Sequence, residues 1–264
     1  MLGLVDIQLI PVEQFQTFLV VTSRVAGFIG AIPVISSAQT PGRVKTAMVV
    51  AISLALFPVM ADAVPKVSFS PLPFLLLMIS ELLLGLLLGL VARLIFTAVE
   101  FGATVVGFQM GFAAANVFDP QSERQVALIS QFQNIFAILI FLAINGHHLF
   151  LKTAVLSYQL LPPGGLDFSG KAIPFLMELT SHMFAIGVQF SAPVLAVLLL
   201  SGLILGILAR VFPQLNVFLL SFPINIGTAF IVMALTLSMV SVLISREFDI
   251  LGERFIILLN YLNP

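Results

Sequence analysis

Four ionisable side chains, Arg24, Glu81, Arg93 and Glu100, lie inside long apolar runs. Set in hydrocarbon at mid-bilayer, each such charge costs about 2.5–3.5 kcal/mol unless it faces protein or water. Glu81 and Arg93 are twelve positions apart. That is roughly 18 Å along a helix, too far for them to pair. Each therefore needs a partner on another helix or another chain. Three roles fit these charges. Arg24 and Arg93 extend from helix ends to an interface, some of the four pair across subunits, or they relay protons. Other chemistry is sparse. His147 and His148 are adjacent and point in different directions on a helix, no carboxylate lies within ten residues of them, and His182 is remote. They read as helix-terminus or interfacial residues, not as a metal site. There is no Ser-His-Asp arrangement, no H-E-x-x-H pair, no phosphate loop and no dinucleotide fingerprint. With no cysteine, thiolate chemistry and disulfides are excluded. The chain reads as a non-enzyme with no cofactor and no metal.

Small residues carry a second signal. Gly85/Gly89, Gly107/Gly111 and Gly202/Gly206 have the Gly-x-x-x-Gly spacing that lets two helix backbones approach closely. Together they favour a densely packed helical assembly, within the chain or between chains. The stretch GFQMGFAAANVFDPQ (Gly107 to Gln121) mixes Gly and Ala with Phe and Met, then ends in Asn116, Asp119 and Pro120. Its small residues permit tight approach or a non-helical path. Its Phe and Met side chains can close a hole by packing. Broken backbone exposed to lipid leaves amides unsatisfied, so this stretch lines a cavity or is covered by protein. The plainer alternative is a helix break with a capped restart.

These residues must be positioned by helices in an apolar surrounding. Hydrophobic residues make up 60% of the chain, charged ones 9%, and mean hydropathy is +1.17, against roughly 45–50% apolar and 25% charged in soluble domains. Thr180 to Ala209 and Val211 to Ser245 carry no charge and are separated only by Arg210; each exceeds the roughly 20 residues that cross a bilayer. The fold class is all-α, an integral membrane protein. A net charge of −1 gives no reason to expect nucleic-acid binding. The N-terminus has no basic residue ahead of its apolar ones, so the first apolar segment is expected to stay in the mature protein.

Segments are expected at about Val12–Ile32, at Thr40/Pro41 to Ala61, and from Ser70-Pro71 to about Val117, with bends or breaks at Gly102, Gly107 and Gly111. A fourth helix opens at Ser122 or Glu123 and closes at Asn145-Gly146, and a shorter one covers His147 to Leu161. Pro162-Pro163-Gly164-Gly165 is a loop. A fifth segment covers Pro174–Ala209 with a kink at Pro193, and a sixth covers Val217–Ser245, interrupted by Pro223 and Gly227. The tail Arg246 to Pro264 has the pattern of an amphipathic helix lying at a surface. No internal repeat or linker divides the chain, so residues 1–264 read as a single membrane unit. There is no Trp and only two Tyr beside 25 Phe, too little for the aromatic belts of ordinary spans. Outside six assumed spans, one side receives Lys66, Lys152, Lys171, Arg246 and Arg254; the other receives Arg43, Lys45, Arg93, Arg124 and Arg210. This tie selects no orientation under the positive-inside rule.

Four blocks, in order, resemble one known family. They are RVAGFIGAIPVISSAQTPGRVK from Arg24 to Lys45, ELLLGLLLGLVARLIFTAVEFGATVVGFQMGFAAANVFDPQ from Glu81 to Gln121, FLAINGHH from Phe141 to His148, and GILARVFPQLNVFLLSFPINI from Gly206 to Ile226. Over nearly its full length the chain resembles the FliR family of type III export-gate subunits. The resemblance implies an all-helical, single-copy subunit in the bacterial inner membrane and flagellar basal body. It implies assembly with FliP and FliQ, beside FlhB and FlhA, around a channel for unfolded flagellar proteins. Helices that are hairpins packed on those subunits, largely raised out of the bilayer plane, would account for the tied charges and missing belt, and would set Glu81 and Arg93 against neighbours. The family's pore plug maps onto Gly107 to Pro120. Met110, Phe112 and Phe118 would close the channel, and Gly107 and Gly111 would permit the turn. The family's PQLN turn is matched by Pro213 to Asn216. The second histidine after NGH and the run Ala113 to Ala115 depart from the pattern.

Two rivals share the composition. A secondary transporter for a small solute would show mirrored halves with broken helices; Pro193 and Pro223 are candidate breaks, but the halves do not mirror each other. A structural scaffold around another protein's channel would make no contact with the exported chain.

Overall fold

A computed structural model of the chain describes residues 12–32, 40–64, 70–111, 124–167 and 170–263. Those residues form helices, turns and no strand, in agreement with the all-α expectation. In order they are α1 (Val12–Ala31), α2 (Gly42–Met60) with a 3₁₀ turn at Ala61–Ala63, α3 (Pro71–Gln109), α4 (Arg124–Ala143), α5 (Gly146–Leu160), α6 (Ala172–Val211) and α7 (Val217–Leu262).

Local chemistry sets most boundaries. Pro71 occupies the first position of α3, where its missing N–H costs nothing, and the Ser70 carbonyl accepts the first helical bond from the Phe74 N–H at 3.1 Å. Pro41 sits one residue ahead of α2 in extended backbone (φ −56°, ψ 140°), so the helix begins at Gly42. Asn145 closes α4 with φ 56° while its N–H donates to the Leu142 carbonyl at 3.0 Å. This left-handed cap bends the chain by 69° between α4 and α5. Gly164 (φ 85°) and the Gly165 N–H, which donates to the Pro162 carbonyl at 3.1 Å, form the turn after α5.

Three expectations are corrected. The long third run does not break at Gly102 or Gly107. It is one helix of 39 residues that stops at Gly111, φ 96°. A Cβ at Gly102 would lie 2.5 Å from the Gly187 carbonyl oxygen. That glycine therefore serves the close approach of α3 to α6 and not a bend. The tail from Arg246 is likewise no separate surface helix. Helix α7 runs unbroken for 46 residues through Ser245, and Leu251, Phe255, Leu258, Leu259 and Leu262 are fully buried. Their helical spacing makes one apolar face, and that face finds the protein's own interior. Pro193 and Pro223 also lie inside continuous helices. In apolar surroundings neighbouring helices can re-satisfy the carbonyl that a proline frees.

Contacts gather the chain into two compact units. Unit 1 comprises Met1–Arg93, His148–Leu176 and Leu251–Pro264; unit 2 comprises Leu94–His147 and Met177–Ile250. In unit 1, Phe28 packs against Phe150 (ring centroids 5.2 Å apart) and edge-on to Phe255 (5.6 Å). The Asp167 N–H donates to the Leu262 carbonyl at 3.0 Å and ties down the end of α7. In unit 2, Phe96, Phe141 and Phe248 form a similar trio at 5.2–5.8 Å.

Candidate functional site

Unit 1 is organised around a buried ion pair. Arg24 and Glu81 are each 2% exposed, and Arg24 Nε donates to Glu81 Oε2 at 2.5 Å. Arg24 Nη1 donates to Ser157 Oγ (3.2 Å) and, with Nη2, to the Leu161 carbonyl (both 3.1 Å). The guanidinium carbon lies 3.9 Å from the ring centroid of Tyr158, a cation–π contact. Glu81 Oε1 accepts the Gly164 N–H at 3.3 Å. Burying two charges is tolerable only when their remaining hydrogen-bonding capacity is met, and here it is. The result is a clamp joining α1, α3, α5 and the turn after α5. Arg24 therefore does not reach out from a helix end, and Glu81, which the resemblance set against a neighbouring subunit, finds its cation in its own chain.

The seam between α1 and α3 explains how the pair meets. A Cβ on Gly85 would overlap the Arg24 carbonyl and lie 2.8 Å from the Phe28 nitrogen. One on Gly27 would overlap the Leu82 carbonyl, and one on Gly89 would overlap the Ala31 side chain. The helices touch backbone to backbone, and they run parallel, since Arg24 meets Gly85 and Ala31 meets Gly89. Sequence reasoning picked out Gly85 and Gly89 but missed Gly27. It lies three residues after Arg24 and so on the same helical face, which was the available signal. Gly202 and Gly206 behave differently, because a Cβ at either would meet nothing within 4 Å.

Unit 2 holds the end of α3. Gly107 is buried, and Met110 is fully buried against Val106, Ile129, Val194, Leu198 and Met233. The Gly111 N–H donates to the Phe108 carbonyl at 3.1 Å, and a Cβ there would press on the Phe222 ring at 2.9 Å. Met110, expected to help close a channel, has its side chain packed in the core of unit 2. Phe112 and Phe118, with Asn116, Asp119 and Pro120, lie outside the described residues. Arg93 and Glu100 are exposed and form no ion pair among the described residues. Polar bridges that the sequence did not announce also pin this unit. They include Thr104 Oγ1 to Ser130 Oγ at 2.9 Å, Ser201 Oγ donating to Asn225 Oδ1 at 2.8 Å, and His182 Nε2 to Glu247 Oε2 at 3.3 Å.

The chain matches the family of bacterial export proteins, family 1, over residues 15–251. It is 34% identical over 248 residues to the flagellar biosynthetic protein FliR of Bacillus subtilis (strain 168), covering 92% of this chain and 94% of that protein. It is 30% identical to FliR of Escherichia coli (strain K12), covering 87% and 89%. It is 25% identical to FliR of Aquifex aeolicus (strain VF5), covering 88% and 90%. The chain belongs to the FliR family.

A FliR-family chain is a flagellar export protein, and its long apolar helices make this one a membrane component. Helices α2, α3, α6 and α7 are long and apolar enough to cross a membrane, with the bent pair α4–α5 as a possible fifth crossing. The match begins in the first turn of α1 and extends into α7. The Arg24–Glu81 clamp, both glycine seams and the end of α3 all lie inside it.

Proposed function

We propose that this chain is a non-enzymatic subunit of the flagellar type III export gate in the bacterial inner membrane. With FliP and FliQ, beside FlhB and FlhA, it forms and plugs the channel through which unfolded flagellar proteins leave. The observation that carries this reading is the end of α3. A 39-residue helix gives way to a positive-φ glycine, with Met110 buried just before it, immediately ahead of the stretch Phe112 to Pro120. In this reading Met110 is the anchor, Gly111 is the turn, and Phe112 and Phe118 are the packing groups that seal the pore. An apolar seal stops ions without covalent chemistry. Driving energy comes from elsewhere in the apparatus.

The outward surface supports assembly with other subunits. Leu199, Leu203, Ile204, Phe218, Leu219 and Leu235 are all more than half exposed, an apolar area that water does not tolerate. The open Gly202/Gly206 pair on the same hairpin fits the backbone of a partner helix. In this reading Glu100, exposed on α3, faces a subunit that brings a cation. Deleting Gly107–Phe118 should make the membrane leak ions. Because that deletion also removes the buried Met110, the sharper test deletes Phe112–Phe118 alone. Ion conductance equal to wild type, with the protein still assembled, would count against the plug. A photo-crosslinker at Phe112 should label a stalled export substrate, as a bystander scaffold would not.

A further inference from the structure

Unit 2 contains a polar atom that its own packing leaves unserved. Gln133, on α4, is 8% exposed, and its Nε2 donates to Met233 Sδ on α7 at 3.1 Å. A thioether sulfur only accepts, so the amide must present its N–H to Met233, and Oε1 is the end left over. Oε1 is sealed from solvent and accepts no hydrogen bond among the described residues. A buried acceptor without a donor forfeits the hydration it has in the unfolded chain. Thr236 follows Met233 by three positions on α7 and so shares its helical face. Its Oγ1 donates to the Val232 carbonyl at 2.8 Å. That spends the hydroxyl's one hydrogen and leaves its lone pairs free to accept. Gln133 and Thr236 both line a cavity of about 20 Å³ in unit 2, whose other walls are apolar side chains that include Phe136, Phe190, Val194 and Met233.

Room for one water begins at about 10–15 Å³, and a buried water needs two to four polar partners. The cavity meets the first condition, and Gln133 Oε1 with Thr236 Oγ1 meets the second. We infer that this cavity binds one structural water, which donates one hydrogen to each oxygen and joins α4 to α7. Two acceptors and no donor select a ligand that donates twice. An anion would be repelled by both oxygens, and two neutral oxygens are too few for a metal ion. The volume admits no side chain from a partner subunit. Val194 and Met233 line the cavity and also belong to the cluster around Met110. The water therefore fixes Met233, and through it the packing of the residue that precedes Gly111. The site requires neither a bilayer nor a channel, so its failure would leave the export reading untouched.

The test is a double-mutant cycle, read as thermal unfolding midpoints of the full-length protein purified with any subunits that accompany it. Gln133→Met removes one oxygen at nearly constant volume, and Thr236→Val removes the other. Each should lower the midpoint by about 2–4 °C, the loss of one hydrogen-bonded joint in a chain of this size. The double variant should fall no further than the less stable single variant, because both changes lose the same water. Gln133 and Thr236 share no direct bond among the described residues, so without the water their losses add, and additive losses would overturn the proposal. So would a rise in the midpoint of Gln133→Met, the result expected when an orphaned acceptor is exchanged for an apolar group. Wild type supplies a check that no unstable variant can spoil. A cryo-electron-microscopy map of the native assembly that resolves ordered water should show a peak within hydrogen-bond distance of Gln133 and Thr236. A map with both side chains ordered and no peak between them would refute the site.

Discussion

Arg24 shows how a single side chain can hold several segments. Its guanidinium makes four hydrogen bonds, to a carboxylate, a hydroxyl and a carbonyl, and its flat face covers Tyr158. Arg24→Ala should therefore do more than remove a contact, because it strands the sealed carboxylate of Glu81. A cost of about 3–5 kcal/mol is expected for breaking a buried pair on one side, seen as a lower thermal unfolding midpoint in detergent. Replacing both partners, Arg24→Met with Glu81→Met, should recover much of that loss because no orphan charge remains. A double variant as unstable as the single one would show that the bonds to Leu161 and Gly164 matter more than the charges. Gly111 is decided by backbone geometry. Gly111→Ala should cost about 1–2 kcal/mol for a left-handed backbone, and trimming the neighbouring ring with Phe222→Ala should fail to rescue it. The sequence declared that Arg24 and Glu81 needed partners. It did not say that each was the other's, because 57 positions separate them and only the α1–α3 seam brings them together.

At the scale of elements, the glycine pairs make opposite predictions. Gly85→Ala drives a methyl into the backbone of α1 and should destabilise unit 1 strongly. Gly202→Ala meets open space and should change the stability of the isolated chain by no more than about 0.5 kcal/mol. If Gly202→Ala nevertheless weakens co-purification with other subunits, that seam belongs to a partner. Spacing alone could not separate the two cases, because a Gly-x-x-x-Gly pair states a capacity for close approach and leaves the neighbour unnamed. The tail of α7 offers the other test at this scale. Truncation after Ser245 removes Leu251, Phe255, Leu258, Leu259 and Leu262 from the interior of unit 1. It should abolish accumulation of folded protein, measured by size-exclusion profile; an intact, soluble truncate would restore the view of a dispensable surface helix. Capping chemistry was legible in advance at Ser70-Pro71, Asn145-Gly146 and Pro162 to Gly165, where backbone rules act over a few residues. Gly102 misled because a glycine inside a helix reads as a break unless the opposing Gly187 is known.

At the scale of the whole molecule, the outward surface is its dominant property. Large apolar side chains are exposed along α3, α6 and α7. Expressed alone, the chain should be polydisperse in mild detergent and should become monodisperse when co-expressed with FliP and FliQ, as read by light scattering. A well-behaved monomer in bilayers would remove the need for partners. Composition and uncharged length by themselves determined the all-α membrane class, and ordered motifs pointed to the family, because both are properties of residue type and spacing. Tertiary structure decided which charges are satisfied inside the chain, which glycines are already occupied, and that Met110 and the tail of α7 are core. Those outcomes depend on which distant segments share one volume, and pattern along a single chain does not record that.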